Sequence, residues 1–259
     1  MKIPHGFNTM CALVWLRADL TREDGLAYWR GPHGQLVTKL PSVHEYLQHH
    51  FSPTDHGFWP VPKGLGGIIP TDWHIDGLTE VRLTSLAAGL ADRLFRMKSI
   101  FHDEFNVFDR VLPNNSRPGG GRWWTGPYQP EIGFRAIVLI RARYELRGAP
   151  FRRFVDGVMA PALLAAGAQE LRTHVFQPGG RFTQWTPDVL HDQPANRTYA
   201  GALIIGTKDR AAFDKLLGSA SVQSTLPAQL RHCVAMHAYA VENTYPVILG
   251  GQRQPVTWN

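Results

Sequence analysis

The run CALVWLR at residues 11–17 has the apolar character of a buried strand, and a similar run, AIVLIRA, occurs at residues 136–142. The two runs start 125 residues apart (136 − 11 = 125). At the same offset, VHEYLQHHF at 43–51 corresponds to QELRTHVF at 169–176, which aligns His49 with His174 and Phe51 with Phe176. Self-similarity at a fixed spacing indicates that one structural unit occurs twice.

Further matching segments complete each unit. A third strand-like run is followed by a helical pattern in each half. In the first half these are GLTEVRLTS at 77–85 and LAAGLADRLF at 86–95. In the second half they are YAGALIIGT at 199–207 and RAAFDKLLGS at 210–219. A last strand-like run closes each unit, most clearly CVAMHAYAV at 233–241. Each half therefore has the order strand, helix, strand, strand, helix, strand, which is that of the ferredoxin-like βαββαβ unit.

In such a unit both helices cover one face of the sheet, and the other face is left bare. Two sheets packed face to face bury that surface. The predicted class is therefore α+β, with an N-terminal unit at 1–115 and a C-terminal unit at 135–259. The segment 116–134 between them is rich in Pro, Gly and Asn, as expected of a linker.

Composition restricts the function. Hydrophobic residues make up 44% of the chain and charged residues 19%, as in a globular protein. The formal charge of +6 comes from scattered residues, so no nucleic-acid partner is expected. The two cysteines, Cys11 and Cys233, lie far apart in the sequence. No apolar run approaches the length of a membrane helix, and the N-terminus lacks a signal-peptide pattern. We therefore expect a cytoplasmic protein with no membrane partner, and leave a homodimer open.

The first helical pattern contains the most informative histidine. Thr21 is a predicted N-cap, and a stripe of residues recurs at intervals of three and four: Leu26, Trp29, His33, Leu36 and Leu40. This stripe places His33 on the buried face. A buried histidine either bonds a backbone carbonyl or a tyrosine in the core, or serves as an acid or base near neutral pH.

Two further segments carry candidate residues. In VHEYLQHHF, Tyr46 shares a strand face with His44, Gln48 and His50, while His49 points to the opposite face. The long segment 52–75 contains four candidates for a substrate-covering loop: His56, Trp59, Trp73 and His74. Nearby Asp76, Glu80 and Arg82 could orient a histidine or pair with one another. We find no metal-ligand spacing and no dinucleotide or phosphate loop, so neither metal nor cofactor is expected.

With these residues noted, the first half resembles an EthD-type unit of the dimeric α/β-barrel superfamily, and the whole chain an intrachain version of that barrel. The resemblance rests on CALVWLR, LTREDGLAYWRGPHGQLV, VHEYLQHHF and DGLTEVRL, with HDEFNVFD at 102–109 similar to an acidic, aromatic segment before the last strand. The second half matches in pattern only. There Met159 stands in the place of His33 and Phe154 in that of Tyr28.

The resemblance implies a pocket between sheet and helices. Relatives in this superfamily include lactone isomerases, polyketide cyclases and dehydratases, quinone-forming monooxygenases and haem-degrading enzymes, many of which work without a cofactor. A methylmuconolactone isomerase branch has a histidine in the first helix, a tyrosine on the second strand and a histidine in a PTD loop. Here these correspond to His33, Tyr46 and His56. The branch's cysteine corresponds to Val81, so thiol chemistry is not expected.

Our first hypothesis is a lyase or isomerase that moves protons on a small, apolar, oxygenated substrate such as a polyketide, a phenolic or a lactone. The candidate catalytic residues are His33, Tyr46, His56 and His74, and the candidate substrate-binding residues are Tyr28, Trp29, Trp59 and Trp73. The alternatives are a binding protein that holds a hydrophobic ligand or haem for a partner oxygenase, a cofactor-free monooxygenase, and a purely structural pseudo-dimer.

Overall fold

A computed structural model describes residues 2–177, 186 and 188–255. The strands of this part are β1 (Gly6–Phe7), β2 (Thr9–Leu16), β3 (Val43–His56), β4 (Gly77–Leu83), β5 (Phe108–Trp123), β6 (Phe134–Ala142), β7 (Glu170–Phe176), β8 (Gly201–Thr207), β9 (Cys233–Leu249) and β10 (Gln252–Arg253). The α-helices are α1 (Arg22–Tyr28), α2 (Gly34–Val37), α3 (Leu86–Phe95), α4 (Lys98–Glu104), α5 (Ala149–Phe154), α6 (Ala160–Ala165), α7 (Arg210–Gly218), α8 (Ala220–Gln223) and α9 (Leu226–His232). Two π-helical turns, Trp29–His33 and Val155–Met159, join α1 to α2 and α5 to α6.

The strands form one continuous sheet. Their order is β1-β5-β2-β4-β3-β9-β6-β8-β7, each pairing is antiparallel, and β5 also pairs with β7. Eight strands, β2 to β9, therefore close into a barrel that leaves none of their long edges unpaired. The expected α+β class with a large antiparallel sheet is confirmed. The two groups of four strands face each other across the barrel, and their edges are joined by the β3–β9 and β5–β7 pairs.

The segment expected to be a linker differs from the prediction. Residues 116–123 of the 116–134 stretch continue β5 and pair with β7, with Gly121 opposite His174 and Trp123 opposite Arg172. Gly121 lets the Thr9 side chain lie close to the β5 backbone, because a Cβ on Gly121 would lie 2.3 Å from the Cγ2 of Thr9. Glycine content thus marks crowding at the barrel seam here, and the connection itself is limited to residues 124–133.

The barrel interior has an apolar middle. All eight strands contribute buried side chains to it, including Leu13, Phe51, Leu78, Leu112, Ile137, Phe176, Ile204 and Tyr239. Phe51 stacks on Tyr239 with ring centroids 4.5 Å apart. Residues on the opposite faces of the same strands pack against the helices, as the period of two in a strand requires.

Beside this apolar middle lies a buried ionic cluster centred on Glu80 of β4. Its Oε1 lies 2.8 Å from Nε2 of His174 and 3.0 Å from Nε of Arg172, and its Oε2 lies 3.3 Å from Nε2 of His49. His174 also contacts the Thr9 hydroxyl at 2.9 Å. Burial raises the pKa of Glu80, but Arg172 and the hydrogen bonds from the two histidines outweigh it and hold that pKa well below its usual range. The cluster therefore contains a buried carboxylate that is compensated from strands β3 and β7.

The helices form the outer layer. α1 to α4 cover strands of the first half, and α5 to α9 pack on β6, β7, β8 and β9. Across the described ranges, every helix falls short of the length and apolarity needed to cross a membrane.

Replacing Glu80 is expected to destabilise the fold strongly. Glu80→Ala leaves the two imidazoles buried without their carboxylate and Arg172 with Glu170 as its remaining partner, which costs about 3–5 kcal/mol of unfolding free energy, measurable by urea denaturation. As a control, Asp19→Ala breaks the exposed pair with Arg17 and should leave the unfolding free energy nearly unchanged. Equal effects of the two substitutions would contradict a structural role for the cluster.

The pH dependence of stability gives a second readout of the same group. Because the folded-state pKa of Glu80 is lowered, its ionised form stabilises the protein above the unfolded value of about 4.3, and this contribution is lost as the pH falls below that value. We expect the unfolding free energy of the wild type to fall more steeply on acidification than that of Glu80→Gln. Parallel curves would contradict the prediction.

Candidate functional site

The site is built on the first helix. The Thr21 side chain caps α1 by accepting from the backbone N–H of Asp24, as predicted. The π-helical turn after α1 contains Pro32 and buries both Trp29 and His33. Such turns are often found at functional positions, because the extra residue changes the direction of the side chains that follow. Burial of His33 on the helix stripe is therefore confirmed.

His33 is held by a carboxylate that lies 70 residues later in the chain. Its Nδ1 lies 2.9 Å from Oδ2 of Asp103 in α4, whose Oδ1 accepts from the Tyr28 hydroxyl at 2.7 Å and from the Asn106 amide at 3.1 Å. Burial raises the pKa of Asp103, but these three hydrogen bonds outweigh it and lower the pKa below its usual value. Asp103 is therefore ionised and accepts a hydrogen bond from Nδ1 of His33, which orients the imidazole and leaves Nε2 as its other ring nitrogen for contact with a ligand.

His33 also lines a cavity of about 330 Å³ between the helices and the outer face of the first-half strands. The walls are mostly apolar and include Ala12, Val14, Trp29, Val37, Val43, Val81, Met97, Ile100 and Phe108. A few polar groups are also present, among them Thr9, Ser42, Tyr46, Thr79, Arg93 and Glu104. A mostly apolar pocket of this size with a few polar groups is typical of small-molecule sites.

Tyr46 enters the cavity wall from β3. Its hydroxyl oxygen accepts from the side-chain amide of Gln48 at 3.3 Å, and the same amide nitrogen donates to the Trp29 carbonyl at 2.8 Å. Burial, opposed in part by the Gln48 bond, raises the pKa of Tyr46 to about 12. The phenol thus keeps its proton near neutral pH. The predicted face is confirmed for Tyr46, Gln48 and His50, which face the helix, and for His49, which faces the barrel interior. It is wrong for His44, because a register shift between Val43 and Glu45 places Val43 beside Tyr46 instead.

The cavity opens beside α3. Leu86 and Leu90 line it and are nevertheless 49% and 58% exposed. Leu94 and Phe95 extend this exposed apolar rim along the helix. Because the Ser85 side chain caps α3 at its N-terminus, the helix that forms the rim begins at a defined point. The rim offers an apolar ligand a path from solvent to the cavity.

The structure does not bring the other predicted residues to this cavity. His56 and His74 contact each other, with ring centroids 4.4 Å apart, beside Tyr239. Trp59 donates to Gln229 and packs with the second-half core, while Trp73 packs in the barrel core. Residues 52–56 belong to β3, and the loop that follows runs toward the second half instead of over His33. Tyr28 lies outside the cavity lining and is linked to His33 through its hydrogen bond to Asp103.

Sequence reasoning missed Asp103 and Glu104. The segment HDEFNVFD was noted as acidic and aromatic, but nothing in it indicates which carboxylate faces a helix so distant in sequence. The three charged residues that could have oriented a site histidine have other partners. Asp76 pairs with Arg22, and Arg82 pairs with Glu45. Glu80 pairs with the buried histidines of the barrel. Within the described residues, no group of three or more His, Cys, Asp or Glu side chains is arranged to hold a metal ion.

The fold is similar to that of three solved structures. A candidate monooxygenase from Fusobacterium nucleatum matches 97% of this chain and 98% of its own, with a TM-score of 0.56 and 7% identity. A candidate monooxygenase from Lactobacillus acidophilus matches 96% of this chain and 100% of its own, with a TM-score of 0.56 and 6% identity. An anthrone oxidase-like protein matches 93% of each chain, with a TM-score of 0.50 and 8% identity. No family model matches the sequence, and no curated protein is significantly similar to it. The TM-scores and coverage show a similar fold, and at these low identities the similarity is one of fold alone.

A cavity-filling substitution tests whether this space binds ligands. Val81→Phe adds a ring to a buried wall residue, so it should weaken binding of an apolar fluorescent probe such as anilinonaphthalene sulfonate by about tenfold or more. Ala87→Phe places the same ring on the exposed side of α3 and should leave the dissociation constant unchanged. Equal affinities of the wild type and Val81→Phe, both folded by circular dichroism, would place the probe elsewhere.

Proposed function

We propose that this protein is a cofactor-independent enzyme that abstracts a proton from a small, apolar, oxygenated substrate bound in the cavity beside His33. The observation that carries this proposal is the His33–Asp103 pair on the wall of a mostly apolar cavity. An imidazole whose Nδ1 proton is held by a carboxylate is oriented for proton transfer through Nε2. His33 is the general base, and Asp103 stabilises the imidazolium that forms.

Tyr46 supplies the complementary group. Its phenol keeps its proton near neutral pH and lines the same cavity, so it can donate a hydrogen bond to the enolate or phenolate oxygen formed by deprotonation. Trp29 provides an aromatic wall, and Tyr28 acts through Asp103 by holding the carboxylate in place. His56, Trp59, Trp73 and His74 have no role in this cavity.

The cavity favours a ring compound with few polar groups. A polyketide, a phenolic or a lactone fits this description, because each carries an acidic proton next to an oxygen that can bear the developing charge. The outcome of the reaction would be dehydration, cyclisation or isomerisation, which makes the enzyme a lyase or an isomerase. The protonated His33 then returns its proton to a leaving hydroxyl or to another carbon of the substrate.

The EthD-type resemblance and a duplicated chain are part of the same proposal. Units at 1–115 and 135–259 would each contribute four strands to the barrel. Support comes from the two π-helical turns, which lie 126 residues apart (155 − 29 = 126) and place Met159 where the first half has His33. Acid–base chemistry would then belong to the first unit.

A cofactor-free monooxygenase is the second candidate, because two candidate monooxygenases and an anthrone oxidase-like protein share the fold. The first step is the same deprotonation by His33. The substrate carbanion then reduces O₂, so that one oxygen atom enters the product and the other leaves as water. Oxygen uptake that accompanies turnover would favour this candidate, whereas full turnover under argon would favour the lyase or isomerase.

Hydrogen–deuterium exchange tests the base independently of the final product. Under argon in D₂O, the protein should accelerate exchange at the acidic carbon of a tricyclic ketone such as anthrone, or of an unsaturated lactone, followed by NMR. His33→Ala should lower the catalysed rate about 10²–10⁴-fold, and Asp103→Asn should also lower it because the tautomer is no longer fixed.

His102→Ala is the matched control, since His102 lies on the exposed side of α4 next to Asp103. It should keep the wild-type exchange rate. Wild-type exchange in His33→Ala would overturn the proposal. Saturable binding of these compounds with no accelerated exchange would identify a binding protein instead.

Tyr46→Phe removes the proposed hydrogen-bond donor and keeps the ring. We expect kcat to fall about 10²-fold with little change in KM, because the bond strengthens as charge develops on the substrate oxygen. Steady-state kinetics on the substrate that gives turnover measures both constants. A rise in KM with unchanged kcat would assign Tyr46 to ground-state binding only.

A further inference from the structure

A second pocket, of about 170 Å³, lies at one end of the barrel interior and is not used in the proposed reaction. Its floor is formed by Trp73, Tyr199 and His237, which are each at most 3% exposed. Arg141, Asn196 and Arg197 complete its lining, together with Pro70. This lining includes two guanidinium groups and no carboxylate, so the pocket has the composition of an anion site.

Arg141 has no carboxylate partner among the described residues, in contrast to the arginine at the other end of its strand. Arg135 and Arg141 share the barrel-facing side of β6, about 20 Å apart at 3.3 Å per residue. Arg135 lies 2.8 Å from Oε2 of Glu170, while no described Asp or Glu oxygen lies within 4.0 Å of Arg141. Residues outside the described ranges include no Asp or Glu. The positive charge at this end is therefore not neutralised by an acidic side chain.

The surroundings of Arg141 increase this positive potential. Burial lowers the pKa of Arg141, and Arg197 and Arg147 lower it further. One nitrogen of Arg197 lies 2.7 Å from the mostly exposed Asp72, and its guanidinium stacks on Trp73 at 4.8 Å from the ring centroid. Among the described residues, no further carboxylate pairs with either of the two guanidinium groups that line the pocket.

His237 and Tyr199 add a neutral donor on the pocket floor. The Tyr199 hydroxyl lies 2.8 Å from Nδ1 of His237. Burial, helped by Arg141, lowers the pKa of His237 to about 4, and burial raises the pKa of Tyr199. Both groups are thus uncharged near neutral pH. With the phenol donating to Nδ1, the imidazole carries its hydrogen on Nε2, where it can donate to a bound oxygen.

We propose that this pocket binds the carboxylate of a small aromatic or otherwise apolar acid. Two guanidinium groups suit the planar carboxylate, which they bind through paired hydrogen bonds. Trp73 and Pro70 provide an apolar wall for the apolar part of the acid. Inorganic phosphate has no such apolar part. The volume is below the roughly 300 Å³ at which pockets for drug-sized ligands begin, so the acid is of about one ring.

Calorimetry and NMR with benzoate test the proposal on the full chain. Benzoate should bind saturably and raise the pKa of His237, because an anion beside the imidazole stabilises its charged form. Arg141→Gln should weaken binding by about tenfold or more through loss of charge-assisted bonds. Without ligand, the same substitution should raise the pKa of His237, since a nearby cation has been removed. Arg197→Gln provides a second variant if Arg141→Gln fails to fold.

Arg153→Gln is the control, because it removes the same charge from an exposed position on α5 outside the pocket. It should leave benzoate affinity and the His237 titration unchanged. Equal weakening by Arg153→Gln, or no saturable binding to the wild type, would overturn the site. Binding of inorganic phosphate at least as tight as that of benzoate, with the same dependence on Arg141, would overturn its assignment to a carboxylate.

Discussion

The arrangement of the barrel depends on the buried contacts of Glu80. This carboxylate joins His49 of β3 with Arg172 and His174 of β7, so it links strands from both halves inside the barrel. A buried charge is tolerated only when partners surround it, and a strand that slipped by one residue would turn its polar partner out of the barrel. The cluster therefore disfavours other registers. With His49 fixed inward, Tyr46 must face the helices, where it lines the cavity.

The reaction proposed for the first-half cavity depends on a similar compensation outside the barrel. Asp103 accepts three hydrogen bonds, from His33, Tyr28 and Asn106, and these fix its position between α4 and the first helix. A carboxylate held from three sides fixes the orientation of the imidazole before any ligand binds. Proton transfer by His33 would then need little reorganisation, which is the condition under which a general base is effective.

The local parts of the fold could be predicted from the sequence, and the non-local contacts could not. The α3 bounds, the Thr21 cap and the side-chain directions in β3 follow from periodicity and capping, which depend on neighbouring residues. Asp103 was missed because its partner lies 70 residues away. Trp59 and Trp73 were assigned to the substrate, but the path of their loop is set by packing against the second half. The glycines of 119–121 indicated a linker, whereas they belong to β5, where Gly121 leaves room for the Thr9 side chain.

The second half shows how the fold tolerates an open cavity beside the first helix. Around its π-helical turn, Phe154, Met159 and Leu163 pack against the sheet and are each at most 1% exposed. Burying each such side chain contributes about 1.5–3 kcal/mol, whereas a cavity that must admit a ligand forgoes that stabilisation. Solid packing on one side of the barrel can therefore offset an open cavity on the other. The stabilisation from the second half explains how His33 can line an open cavity while the barrel as a whole stays closed.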